Sequence, residues 1–87
     1  MTVRYGGMLA GRSGRERERV TLPAGATLRD LRQEIWRRYP GLETIAHPSG
    51  GGLASMIRWL VNSRTVSEGT ELAEGDEITL LPGAGGG

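Results

Sequence analysis

The residues that could do chemistry lie at the end of the chain, in the segment Pro82-Gly83-Ala84-Gly85-Gly86-Gly87. Apart from Pro82, no side chain here is larger than a methyl group, and the only charge is the terminal carboxylate of Gly87. Extended, these six residues reach roughly 20 Å. Because glycine has no Cβ to collide with a channel wall, we predict that this tail enters a narrow site on another protein and presents its carboxylate there. The alternative is a frayed terminus without a function.

The composition excludes several kinds of chemistry. The 87 residues form one small domain and include no cysteine, which rules out a disulfide, a thiolate metal site or a cysteine nucleophile in this chain. All eleven basic residues are arginine, so a catalytic lysine and an isopeptide link on the chain's own lysine are impossible. A net charge of +1 gives no overall attraction to nucleic acid or to a membrane. With no signal-peptide pattern and no apolar run near 20 residues, we expect a cytoplasmic protein without nucleic-acid or membrane partners.

A glycine-rich stretch at residues 6–13 resembles an incomplete phosphate-binding loop. Gly6 and Gly11 have the spacing of the motif, and a basic residue and a serine follow. Arg12 replaces the lysine that reaches the phosphates, and residues 14–19 lack the apolar stripe of the helix that should come next. We therefore interpret this stretch as structural.

Three further clusters are also interpreted as structural. In residues 12–19, Glu16 and Glu18 alternate with arginines and cancel much of their field, which favours a solvated hairpin and leaves a weak docking role open. His47 is the only histidine and has no cluster of ligands or catalytic partners around it, so we expect a loop residue and no metal site. The carboxylates of residues 74–77 fit a turn that enters the last strand.

The elements that position the tail follow from the hydrophobic pattern. A helix begins after the N-cap Thr27, with Asp30 three residues on as in a capping box, and ends at Pro40-Gly41. Its apolar stripe consists of Leu28, Leu31, Ile35 and Tyr39. Strands are predicted at residues 2–9, 16–22, 55–61, around 65–66, and 77–81. Gly6-Gly7 weakens the first strand or marks a close approach by another group, and Asn62-Ser63 forms a tight turn.

This order of elements predicts an α+β fold. If the first and last strands lie side by side and parallel, the result is the β-grasp (ubiquitin-like) fold, a mixed sheet of about four or five strands covered on one face by one main helix. Residues 1–81 form the domain, and residues 82–87 form a flexible tail. Trp59 shares a strand face with Ile57 and Val61, which makes it a core residue or an interface anchor.

The sequence resembles the ubiquitin-like sulfur carriers, which include the small subunit of molybdopterin synthase and the thiamin sulfur carrier. The resemblance is carried by residues 3–5, 8–9, 20–31, 39–42, 60–62, Leu72, 74–78 and 80–82 together with the glycine end. It is strongest from Gly75-Asp76-Glu77 onward. The hairpin and helix look closer to the molybdopterin synthase subunit, whereas residues 48–62 also look like carriers of cysteine or other sulfur-metabolite pathways.

The resemblance implies a carrier whose chemistry is catalysed by its partners, not an enzyme. A ubiquitin-activating-type adenylyltransferase would use ATP and Mg²⁺ to convert the carboxylate of Gly87, or of Gly86 after trimming, to an acyl adenylate. A sulfurtransferase or persulfide donor would displace AMP and leave a thiocarboxylate, which passes sulfur inside an acceptor such as the molybdopterin synthase large subunit. The chain itself would bind no cofactor. The expected partner-binding residues are Leu81, Pro82, Gly83, Ala84, Gly85, Gly86 and Trp59.

The sequence departs from this family in ways that leave alternatives open. Three glycines end the chain instead of two, and Gly6-Gly7 stands where the family often has Phe and Ala. We predict a sulfur carrier, with molybdopterin synthesis as the first candidate pathway. The alternatives are a carrier for cysteine, thiamin or another sulfur metabolite, a ubiquitin-like modifier conjugated to lysines, or an interaction domain whose glycine end is incidental.

Overall fold

The structure, a computed structural model, describes residues 1–42 and 57–82, and five strands in these ranges form one mixed sheet. The elements are β1 (Thr2–Tyr5), α1 (Leu9–Ser13), β2 (Arg17–Arg19), α2 (Leu28–Arg38), β3 (Ile57–Val61), β4 (Arg64–Thr65) and β5 (Glu77–Pro82). The strand order is β2-β1-β5-β3-β4, with β1 and β5 parallel at the centre and the other pairs antiparallel. This is the predicted β-grasp fold.

Helix α2 begins where the capping box predicted it. Thr27 accepts a hydrogen bond from the backbone N–H of Asp30, and the Asp30 carboxylate accepts one from the backbone N–H of Thr27. Leu28, Leu31 and Ile35 are buried on the side that faces the sheet. Helix α2 therefore supplies one wall of the core.

The sheet has two unlike faces. Alternate strand residues point to the core, and they form the helix-covered face: Val3, Tyr5, Glu18, Ile57, Trp59, Val61, Ile78 and Leu80. The residues between them point to the other side of the sheet, which we call the open face. They are Thr2, Arg4, Arg17, Arg19, Arg58, Leu60, Thr65, Glu77, Thr79 and Leu81. The helices α1 and α2 both pack their buried residues into the same core cluster, on the helix-covered side.

The first strand is shorter than predicted. We expected a strand over residues 2–9 and a turn after it, but β1 ends at Tyr5 and α1 occupies Leu9–Ser13. Gly7 has a φ of +54°, which ends the strand, and the N–H of Leu9 donates to the carbonyl of Gly6. Leu9 is fully buried, so its hydrophobic burial anchors the short helix.

The second strand corrects another prediction. It spans only Arg17–Arg19, and Glu18, which we had placed on a solvated edge, is buried on the helix-covered face. Val20, the residue after the strand, is buried in the core. The carboxylate of Glu18 tolerates burial because three side-chain donors reach it, as described below.

The remaining elements follow the sequence closely. Asn62 and Ser63 form the predicted tight turn and both have positive φ, at 50° and 67°. Strand β4 begins at Arg64, one residue before the predicted position, and β5 includes Pro82, one residue beyond the predicted strand. His47, the predicted loop around it and the first two residues of the predicted 55–61 strand lie outside the described residues.

Candidate functional site

The end of β5 is the point from which the glycine-rich segment leaves the domain. This strand lies between β1 and β3, which hold it on both sides as far as Leu80, and β3 alone pairs with its last two residues. The N–H of Gly6 donates to the carbonyl of Leu80 at 2.8 Å, while Arg58 and Ile57 stand opposite Leu81 and Pro82. The sheet therefore fixes the point where the glycine-rich segment begins. The segment itself, residues 83–87, lies outside the described residues.

Gly6 and Gly7 provide the space in which β5 ends. A Cβ on residue 6 would lie 2.6 Å from Cδ2 of Leu81 and 2.9 Å from the carbonyl oxygen of Leu80. A Cβ on residue 7 would lie 3.1 Å from Cγ of Pro82. The sequence indicated a close approach at Gly6-Gly7, and the structure identifies the approaching groups as Leu81 and Pro82. A bulky aromatic at residue 6, as the resemblance would suggest, requires Leu81 to lie elsewhere.

Trp59 and Leu81 lie on opposite faces of the sheet. Trp59 stands beside Leu80 on the helix-covered face and is half-buried. Its ring meets that of Trp36 on α2 edge to face, with centroids 5.5 Å apart. The structure thus does not bring Trp59 together with Leu81, and a partner role for Trp59 remains a prediction.

A shallow hollow of about 370 Å³ adjoins Leu81 on the open face. The residues around it include Arg4 and Arg17 together with Glu16. Arg4 lies 3.6 Å from the carboxylate of Glu77. The departure point of the tail therefore continues directly into a basic surface.

Glu18 stands at the centre of a buried network on the opposite face. The hydroxyls of Tyr5 and Tyr39 donate to its Oε1 at 2.6 and 2.8 Å, and Nη1 of Arg38 donates to its Oε2 at 3.0 Å. Burial alone would raise the pKa of Glu18, but these hydrogen bonds and the charges of Arg38 and Arg15 outweigh it and hold the pKa below its usual value. Burial, and then the bond to Glu18, raises the pKa of Tyr5.

This network is structural and not catalytic in its geometry. It joins β1, β2 and the C-terminal end of α2 through three hydrogen bonds to the two oxygens of one carboxylate. Its hydroxyls remain protonated and its carboxylate remains charged at neutral pH. A general acid or base needs a pKa nearer the working pH. Glu18 therefore stabilises the packing of these elements and does not act as a reacting group.

A larger cavity lies at the other end of the sheet. It measures about 660 Å³ and is lined in part by Met1, Leu22, Pro23, Leu72 and Glu74. Met1 and Glu74 lie where the parallel strands β1 and β5 begin, and the tail leaves from the opposite end of β5, so the cavity is remote from the tail's departure point. Within residues 1–42 and 57–82, no group of three metal-ligating side chains is present, and no helix is long and apolar enough to cross a membrane.

Comparison with known proteins agrees with this architecture. The ThiS family model matches residues 3–87. The chain belongs to the ThiS family. Its fold and relatives make it a member of the ubiquitin-like sulfur carriers and modifiers. No curated protein matches it significantly.

Three solved structures illustrate the range of this ThiS-family chain's relatives. SAMP1 from Haloferax volcanii is 30% identical over 100% of this chain and 98% of that chain, with a TM-score of 0.83. A putative molybdopterin converting factor, subunit 1, from Pyrococcus furiosus is 27% identical over 95% of both chains, with a TM-score of 0.81. The BexX/CysO complex of Amycolatopsis orientalis matches with 25% identity over 99% of this chain and 98% of that chain, and a TM-score of 0.69.

The basic surface on the open face was missed by sequence reasoning. Arg4 and Arg58 lie on the two strands that flank β5, and Arg17 stands opposite Arg4 on β2, so only the register of the sheet brings these three residues to one face. The strand alternation is the signal that could have found them, since each lies one position from an inward-facing residue. Of the predicted partner-binding residues, Leu81 and Pro82 lie at the departure point, and Gly83, Ala84, Gly85, Gly86 and Gly87 lie outside the described residues.

Proposed function

We propose that this ThiS-family chain is a sulfur carrier that works through the carboxylate of Gly87, or of Gly86 after trimming. One observation carries the proposal: the central strand β5 is fixed on both sides and leads directly into the glycine-rich segment. In this proposal the folded domain is the part that a partner binds, and the glycine segment is narrow enough to enter the partner's active site.

The chemistry requires activation, because a free carboxylate is a poor electrophile. A ubiquitin-activating-type adenylyltransferase with ATP and Mg²⁺ would join the carboxylate to AMP and release pyrophosphate. Sulfide would then form the C–S bond and expel AMP. A protein persulfide would instead form an acyl disulfide, which a thiol reduces to the thiocarboxylate. The product is a sulfur nucleophile in a chain that has no cysteine.

Molybdopterin synthesis is the pathway that we propose first. The relative from Pyrococcus furiosus is a putative molybdopterin converting factor, subunit 1, whereas another relative is CysO in a complex with BexX. In the first pathway the sulfur would pass to the large subunit of molybdopterin synthase. In the other it would pass to an enzyme that makes a different sulfur metabolite. Activation by ATP places the protein in the cytoplasm under this proposal. Offering the thiocarboxylated chain to each acceptor and measuring sulfur in the product discriminates between the pathways.

Reconstitution with intact mass spectrometry tests the carrier function. The chain, with an untagged C-terminus, is incubated with the adenylyltransferase, ATP, Mg²⁺ and sulfide or a persulfide donor. We expect a mass gain equal to the exchange of one oxygen for one sulfur, and no gain when Gly86 and Gly87 are deleted. A matched variant that ends at Gly86 identifies the working terminus. Absence of the gain in both full-length and Gly86-ended forms would contradict the proposal.

A protein modifier is the second candidate, and the likeness to SAMP1, which is small archaeal modifier protein 1, favours it. In that case the activated carboxylate is joined to lysines of other proteins. Because Arg64 is the last basic residue, trypsin would leave the segment from Thr65 to the end of the chain on a modified lysine. Finding such branched peptides, in adducts that resist reductant, would support the modifier function.

A further inference from the structure

We propose that the open face of the sheet docks onto an acidic surface of the adenylyltransferase that receives the tail. The inference rests on the proposed function and adds the chemistry of the partner's surface. It is carried by the distribution of arginines, by the lack of ion-pair partners for three of the four among the described residues, and by their continuity with the end of β5.

In the described part of the chain, the strands of the open face carry four arginines and a single carboxylate, and Glu16 also borders the hollow beside them. The arginines are Arg4, Arg17, Arg19 and Arg58, and the carboxylate is Glu77. All five residues are exposed. Since the whole chain has a net charge of only +1, positive charge is concentrated on this face.

Two of these arginines oppose each other directly. Arg4 and Arg17 are paired across the β1–β2 ladder, and like charges at such positions destabilise a sheet. Arg4 has Glu77 nearby at 3.6 Å, whereas Arg17, Arg19 and Arg58 make no ion pair among the described residues. A pair of like charges that lowers the stability of the fold is typical of a functional surface. Carboxylates from a partner would neutralise it.

The basic surface is continuous with the tail's departure point. Leu81 is half-buried on the open face, stands opposite Arg58 and borders the hollow that Arg4 and Arg17 line. The reactive glycine is at most five residues beyond Pro82, a reach of about 17 Å when extended. An enzyme that grips that glycine must therefore approach this end of the sheet. Half-buried Leu60, Thr79 and Leu81 give the contact a less polar centre inside the arginine rim.

An acidic protein surface explains these observations better than a nucleic acid does. No aromatic side chain lies on the open face in the described part of the chain, because Tyr5 and Trp59 point to the other side of the sheet. The face therefore lacks the stacking platform on which single-stranded nucleic acid binds. Arginine forms two parallel hydrogen bonds with a carboxylate, and such a contact needs no stacking platform.

Charge reversal on the two faces tests the proposal. The Arg17→Glu/Arg58→Glu variant removes the basic surface, and Arg64→Glu is the control, because Arg64 is exposed and stands opposite Val61 of the helix-covered face. Binding and adenylation are measured with each ubiquitin-activating-type adenylyltransferase of the source organism, at about 50 and 500 mM salt. At low salt we expect the double variant to raise Kd and KM at least about tenfold with kcat unchanged. The control should stay within about twofold, and high salt should remove the difference.

The outcomes separate the docking face from the proposed function. Normal adenylation with equal effects of both variants, or with no salt dependence, overturns the docking face and leaves the carrier function intact. Salt-dependent binding that only the double variant weakens, without adenylation, supports the docking face and contradicts the function. If the wild-type chain neither binds nor is adenylated, both are wrong. Tighter binding of a labelled single-stranded oligonucleotide, lost in the double variant, overturns the acidic-protein partner.

Discussion

The two faces of the sheet use arginine in opposite ways. Under the helices, Arg38 donates to Glu18 and to Glu34, and each carboxylate has its donors in place. On the open face, Arg17 has no carboxylate partner among the described residues and stands opposite Arg4. The same residue type thus stabilises the fold on one face and strains it on the other.

This contrast separates stability from recognition within one five-stranded sheet. Changes on the helix-covered face should lower the free energy of unfolding. Changes on the open face should leave that free energy nearly unchanged and alter activation of the tail. The expected effects below run from the largest loss of stability to a small gain.

The neighbouring leucines at the end of β5 provide the sharpest contrast. Leu80 is fully buried, so Leu80→Ala should lower the free energy of unfolding by about 2–5 kcal/mol. Leu81 is half-buried on the open face, so Leu81→Ala should cost about 1 kcal/mol or less and should instead weaken activation. Urea unfolding, followed by the fluorescence of Trp36 and Trp59, measures both. Equal losses would show that the two faces are not distinct in stability.

Glu18 should be the most sensitive charged residue in the described part of the chain. Glu18→Ala leaves the buried hydroxyl of Tyr5 without its acceptor and should cost about 2–4 kcal/mol. The matched control is Glu16→Ala, because Glu16 is exposed two residues earlier, and it should change stability by less than about 0.5 kcal/mol. Chemical unfolding at pH 7 compares the two variants.

The pH dependence of that comparison checks its cause. Since the folded pKa of Glu18 lies below its usual value, its contribution is complete above about pH 4.3, the ordinary glutamate pKa, and disappears as the pH falls through the folded value. The stability difference between wild type and Glu18→Ala should therefore shrink in acid. A difference that grows on acidification would mean that the carboxylate is stabilised in its protonated form.

Gly6→Ala should perturb the end of β5. The added Cβ meets Leu81 and the backbone oxygen of Leu80, so we expect a loss of about 1–3 kcal/mol and slower activation of the tail. Gly11→Ala is the control, because no atom lies within 4 Å of its Cβ, and it should be neutral or slightly stabilising. NMR shifts of the Leu81 methyl groups report the displacement directly. Unmoved methyl groups in Gly6→Ala would refute this role for Gly6.

Arg17→Glu should have the smallest effect and the opposite sign. It replaces the repulsion with Arg4 by an attraction across the ladder and should stabilise the fold by about 0.2–1 kcal/mol at low salt. Thermal unfolding at about 50 and 500 mM salt measures the gain and its screening. A loss of stability would indicate that Arg17 contributes to the fold and does not strain it.

Much of the fold was predictable because its signals are local. The Thr27–Asp30 pair fixed the start of α2, alternation identified β3 and β5, and Asn62-Ser63 fixed the turn between β3 and β4. Helix α1 was missed, since a five-residue helix has no repeating apolar stripe and depends on the burial of Leu9.

The unpredicted parts of the site depend on contacts between distant residues. Glu18 lies in a run of alternating charges that is typical of an exposed strand, and its donors Tyr5, Arg38 and Tyr39 come from β1 and the end of α2. The basic open face likewise requires the register of three strands. Gly6-Gly7 was predicted as a place of close approach, but only the fold identifies Leu81 and Pro82 as the groups that approach.

The most direct test of the carrier account uses the absence of cysteine. A thiol-selective alkylating reagent at neutral pH has no thiol to label in this sequence, so labelling reports a thiocarboxylate. The untagged chain is isolated from its source cells, treated with the reagent and measured by intact mass spectrometry. The account predicts one added label, localised to the C-terminal peptide and absent when Gly86 and Gly87 are deleted. An unlabelled chain, with its C-terminal carboxylate unchanged while the adenylyltransferase and sulfur donor are active, would contradict it.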